Sequence, residues 1–93
     1  MTQLLDSLAR YVGILSESAK STNYADDRPI YTKHLAASAQ FFLFIHGNQL
    51  SALAHLVHDE RHSFGWGYLS GEMGARAESA FHEFATKVES LAT

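Results

Sequence analysis

The sequence contains no cysteine, only one proline, and no long hydrophobic run. The absence of cysteine excludes disulfide bonds, thiolate metal ligands and cysteine nucleophiles. No window approaches 18 consecutive apolar residues, so a membrane-spanning helix is not expected. The first residues, Met-Thr-Gln-Leu-Leu-Asp, lack the basic and long apolar regions of a signal peptide. These absences predict a cytoplasmic protein that makes no membrane contact.

The chain also lacks a run of basic residues. Its seven lysines and arginines are scattered, and the formal net charge is -3, so nucleic acid is not an expected partner. The hydrophobic fraction of 46% is too high for a disordered chain. A length of 93 residues fits one domain, 1–93. A domain of this size buries only about two-thirds of its unfolded surface, so it benefits from tight packing or self-association.

Apolar residues recur at steps of three and four, which is the period of an amphipathic helix. The first and last helical segments have one apolar side, with charged residues opposite. Short connections between consecutive helices are typical of a bundle. The sequence therefore predicts an all-α, four-helix up-down bundle. Its helices are expected at about 2–20, 29–46, 49–63 and 71–91.

The residues between these segments supply start and stop signals. Asp27 is predicted to cap the second helix, with Pro29 in its first turn, where a missing N–H costs nothing. Gly47 is predicted to end that helix. Asn48 and Ser70 are expected to cap the third and fourth helices.

The end of the second helix is apolar on every side, from Phe41 to Ile45. A buried β-strand is the competing interpretation, but the preceding alanine-rich register is helical. A helix that is apolar all round must be covered on more than one side, by the bundle centre or by another subunit. We expect a homodimer formed through this helix, with Phe41, Phe42 and Phe44 as contact residues.

Three histidines share one face of the third helix. His55, His58 and His62 fall within an arc of about 60°, and Asp59 lies beside them. His58 and His62, four residues apart, could bind one divalent metal ion such as zinc, and a carboxylate is a usual further ligand. However, this arc points away from the apolar side centred on Val57, which favours a solvated surface.

An aromatic connector, Phe-Gly-Trp-Gly-Tyr-Leu, joins the third and fourth helices. The glycines beside Trp66 allow backbone angles that other residues avoid. In one interpretation Trp66 and Tyr68 form an edge that binds a protein partner. In the other, the tryptophan folds back and closes the open end of the bundle.

No catalytic motif emerges from the sequence. A Ser-His-Asp arrangement, a dinucleotide loop and a phosphate loop cannot be identified. The sequence therefore predicts a non-enzymatic interaction or regulatory module without a cofactor, which acts as a homo-oligomer. The alternative is a metal-dependent hydrolase or sensor that uses the face formed by His55, His58, Asp59 and His62.

Overall fold

A computed structural model describes residues 2–22, 25–63, 69 and 71–92. Within these ranges the chain forms four α-helices and no strand. The bounds lie within two residues of those predicted from the sequence, and the all-α four-helix bundle is confirmed. The helices are α1 (Thr2–Ser21), α2 (Asp27–His46), α3 (Leu50–Ser63) and α4 (Gly71–Ala92).

Each helix packs mainly against its neighbours in the chain, and α4 closes the ring by packing against α1. The α1–α4 and α1–α2 seams are the most extensive, whereas α2 and α3 make the least extensive contact. The described helices include none that is both long enough and apolar enough to cross a membrane. This arrangement gives every helix an inward side and an outward side.

The core is built from the inward stripes of all four helices. Tyr11 of α1 and Phe81 of α4 meet across the α1–α4 seam, with 5.6 Å between their ring centroids. Phe41 of α2 and Phe84 of α4 meet across the centre of the bundle, with 5.5 Å between their ring centroids. These large rings fill space that aliphatic side chains alone would leave open. The buried hydrophobic residues are Leu4, Leu8, Tyr11, Leu15, Tyr31, Phe41, Ile45, Leu53, Val57, Ala77, Ala80, Phe81, Phe84, Ala85 and Val88.

The turn between α2 and α3 differs from the sequence prediction in one respect. Gly47 follows the last helical residue but has φ of -82°, so the turn does not use its freedom. Asn48 takes the left-handed position instead, with φ of 57°. Its N–H donates to the Ile45 carbonyl, and the N–H of Gln49 donates to the Phe44 carbonyl. This is a Schellman ending, so Asn48 closes α2 rather than capping α3.

The start of α2 also differs from the prediction. Asp26 already has helical angles, φ -70° and ψ -20°, and makes no side-chain capping bond. Asp27 is therefore the first helical residue, not the cap, and its side chain is buried. A carboxylate in the first turn still favours the positive helix end. Pro29 remains in the first turn, as predicted. The predicted cap of α4, Ser70, lies outside the described residues.

Candidate functional site

The predicted histidine face lies on the outside of α3. His55, His58, Asp59 and His62 are all exposed, which agrees with their position opposite Val57. The rings of His58 and His62 meet edge to face, with 4.6 Å between their centroids. Each of these two side chains could bend toward a shared ion from solvent.

A complete metal site is not assembled on this face. Among the described residues, no group of three or more His, Asp or Glu side chains is placed to hold one metal ion. Arg61, which also lies on α3, turns toward α4 and pairs with Glu89 at 2.8 Å. The arrangement offers two neighbouring imidazoles and open coordination positions. Zinc binding by this face therefore stays a prediction.

The predicted partner-binding residues fall into different environments. Phe41 is fully buried in the core, against Phe84. Phe44 is half-buried and packs against the core, whereas 51% of Phe42 is exposed. Of the three phenylalanines, Phe42 is thus the one exposed on the surface. Trp66 and Tyr68 lie outside the described residues.

Phe42 belongs to an apolar face shared by α1 and α2, which we call the α1–α2 face. Leu5 is 38% exposed and Leu43 is 66% exposed, an unusual degree for large aliphatic side chains on one surface. An open groove of about 870 Å³ runs between the two helices here. Asp6 is the one charged residue of its lining. The groove is lined by Leu5, Asp6, Leu8, Ala9, Val12, Leu35, Ser38, Ala39, Phe42 and Leu43.

This face exists because α2 has two apolar sides. The inward side carries residues that recur at steps of three and four, namely Tyr31, His34, Ser38, Phe41 and Ile45. The outward side carries Ala39, Phe42 and Leu43, which are exposed, and Leu35, which is partly buried against the core. The sequence predicts that α2 is covered on more than one side, and the two sides in question can be named. The bundle covers one side, and the α1–α2 face is the other.

A second feature lies inside the bundle, where polar side chains of α2 and α3 meet. His34 of α2 is fully buried, and its Nδ1 lies 3.7 Å from Oε2 of Glu60 on α3. Glu60 is only 6% exposed. Charged side chains are rarely buried to this degree unless they are paired. His34 and Glu60 therefore form a buried pair across the least extensive seam of the bundle.

Tyr11 of α1 is buried as well, and the charge of Glu60 acts on its phenol. Burial raises the pKa of the Tyr11 phenol well above its ordinary value, and the negative charge of Glu60 raises it further. Burial also raises the pKa of Tyr31, with a smaller contribution from the charge of Asp27 that outweighs an opposing effect of Ser18. Both causes favour the neutral phenol. The two hydroxyls are therefore held protonated inside the folded bundle.

The sequence contains a signal for the burial of Glu60. Glu60 follows Val57 by three residues and Leu53 by seven, so it lies on the apolar stripe of α3. A shallow groove of about 300 Å³ between α2 and α3 reaches Glu60, and its other lining residues are Lys33, Ala36, Ala37 and Gln40. A carboxylate on an apolar stripe indicates a buried partner, but the periodicity alone does not identify His34.

No protein family, no curated protein and no solved structure matches this chain.

Proposed function

We propose that the protein is a non-enzymatic interaction module that works as a homo-oligomer, and that its contact surface is the α1–α2 face. The observation that carries this proposal is the grouping of Leu5, Phe42 and Leu43, large apolar side chains exposed beside one groove. Contiguous exposed apolar surface marks interaction sites in folded proteins. Groups of this kind form the desolvated centre of an interface.

The size of the face suits a second copy of the chain. Helices of 20 residues are each about 30 Å long, and paired helices lie about 9 Å apart, so α1 and α2 together present roughly 600 Å². A standard interface buries about 800 Å² on each partner. The outward side of the two whole helices therefore reaches the lower limit of a standard interface, and the apolar groove forms its centre.

The charge of the face also suits a second copy. Its groove carries one acidic residue, Asp6, and no basic residue, so it offers nothing to a phosphate-bearing partner. The centres of interfaces between identical subunits are apolar and poor in charge. The α1–α2 face of a second copy is equally apolar and equally poor in charge, and so it matches this description.

The experiment that tests the proposal is sedimentation equilibrium of the untagged protein over a concentration series. A dimer should be present at tens of micromolar, with its fraction rising by mass action. A monomer throughout that range would overturn the proposal.

The contact between His58 and His62 favours a second candidate function, metal binding by the outer face of α3. Two histidines one helical turn apart can provide two ligands to zinc, and other molecules can fill the open positions. A metal-dependent enzyme or sensor would use such a site. Zinc titration by calorimetry tests this candidate: His58→Ala and His62→Ala should each abolish binding, whereas His82→Ala on α4 should leave it unchanged. Equal binding by all three variants would reject the α3 face as the site.

A further inference from the structure

We infer that two copies stack their α1–α2 faces antiparallel, about a two-fold axis at the level of Ala9 and Ala39. This inference rests on the proposed function, because it specifies how the second copy occupies the face. Dimers of identical chains are mostly two-fold symmetric, and each surface must then be complementary to itself. Along the α1–α2 face, small side chains lie in the middle and larger ones lie toward both ends, so the face is complementary to itself.

The two alanines stand at one level because α1 and α2 run in opposite directions. The groove is lined by α1 from Leu5 to Val12 and by α2 from Leu35 to Leu43. Ala9 and Ala39 lie near the middle of these two stretches, and both are exposed. Since the two helices rise equally per residue, the alanines stand at about the same level. The middle of the face therefore carries small side chains, which allows the backbones of two copies to approach closely.

Larger side chains flank this low middle at both ends. Leu5 and Leu43 stand at one end of the groove, and Val12 and Leu35 stand at the other. A two-fold axis through the middle exchanges the ends, so Leu43 of one copy comes to the level of Leu35 of the partner subunit. Leu5 comes to the level of Val12 of the partner subunit. Apolar side chains then meet along the whole groove, and alternating large and small residues let the layers interdigitate.

A parallel arrangement is less favourable for this face. It would put the two exposed Leu43 side chains at the same level, and likewise the two Phe42 rings, which are the bulkiest groups on the surface. These bulky side chains would crowd one end of the interface, while the parts of the groove with small side chains would stay unfilled. The antiparallel arrangement distributes the bulk evenly.

Because the chain has no cysteine, single introduced thiols report the arrangement directly. Ala39→Cys places two thiols beside the axis, where the Cα separation suits a disulfide. Leu43→Cys places its two copies about 12 Å apart along the helix direction, because each lies four residues from the axis. Both positions are exposed, so neither substitution disturbs the core.

The test is oxidation of each variant, followed by gel electrophoresis with and without reductant and by light scattering of the reduced sample. We expect Ala39→Cys to form a covalent dimer. Leu43→Cys alone should stay monomeric on the gel, but should cross-link when mixed with Leu35→Cys. A Leu43→Cys protein that links to itself as readily as Ala39→Cys would overturn the antiparallel arrangement. So would a reduced Ala39→Cys protein that dimerises in solution but does not cross-link. A reduced protein that is monomeric by light scattering would instead reject the proposed dimer itself.

Discussion

His34 Nδ1 lies 3.7 Å from Glu60 Oε2, and both side chains are inside the bundle, on facing sides of α2 and α3. Removing two such groups from water is costly, and their mutual attraction offsets that cost only while both are present. The pair therefore makes the α2–α3 seam sensitive to the loss of either member. Its members lie on the inward sides of α2 and α3, whereas Phe42 and Leu43 are exposed on the other side of α2.

Replacing one member of this pair should be far more harmful than replacing both. His34→Leu leaves the Glu60 carboxylate buried without its partner, and we expect a loss of about 3–5 kcal/mol in the free energy of unfolding. The double variant His34→Leu/Glu60→Leu should recover much of that loss. Urea unfolding measures both. A double variant less stable than His34→Leu would contradict this account of the pair.

Arg10→Ala is the matched control for an ion pair at the surface. Arg10 contacts Glu83 at 3.4 Å, but the two side chains are 66% and 43% exposed. Solvent screens such a pair, so the expected loss is below about 1 kcal/mol.

Tyr11 should make the folded protein sensitive to alkali. Burial and the charge of Glu60 raise the pKa of its phenol in the folded state. In the unfolded chain the pKa of the phenol is about 10. The folded state then holds a proton that the unfolded chain releases, so stability is intact below pH 10 and falls above it.

Tyr11→Phe should reduce that alkaline loss, because the variant has no phenol to ionise at this position. Urea midpoints at pH 8 and pH 10.5 for both proteins measure the difference. Absorbance at 295 nm supplies an independent check, since the ionisation of Tyr11 should coincide with unfolding. An identical fall in both proteins would contradict the buried, protonated phenol.

Two glycines should respond to alanine in opposite directions. A Cβ at Gly74 would lie 2.8 Å from Leu69 Cβ and 3.1 Å from the Leu69 carbonyl carbon, so backbone would have to shift. Gly74→Ala should therefore destabilise the fold by about 1–3 kcal/mol. Gly13 is exposed within α1 and meets no atom within 4 Å. Gly13→Ala should stabilise by about 0.5–1 kcal/mol. Thermal unfolding compares the two, and a stabilised Gly74→Ala protein would be inconsistent with this packing.

The helices were predictable because the spacing of apolar residues determines them locally. The stripe of Leu4, Leu8, Tyr11 and Leu15 and the all-round apolar end of α2 are visible in the sequence. The capping residues were less predictable, because Asp26 adopts helical angles and Asn48 adopts the left-handed angle. Several residue types fit those positions, and small backbone differences decide among them.

The buried pair was not predictable from the sequence. Periodicity places His34 and Glu60 on inward stripes, but only the packing of α2 against α3 brings them together. Conversely, His55, His58 and His62 form the more conspicuous pattern, and their outward direction follows from the apolar side of α3. Likewise, Phe41, Phe42 and Phe44 resemble one another in the sequence, and their different burial depends on where the neighbouring helices lie.

The central claim is that the α1–α2 face holds two copies of the chain together, and light scattering of Leu43→Glu at tens of micromolar tests it most directly. Leu91→Glu is the matched control, because Leu91 is 52% exposed on α4 and lies outside the lining of the groove. We expect the unaltered protein and Leu91→Glu to be dimers, and Leu43→Glu to be a folded monomer, because two copies would have to bury two further carboxylates besides those of Asp6. A Leu43→Glu protein that remains fully dimeric would contradict the claim.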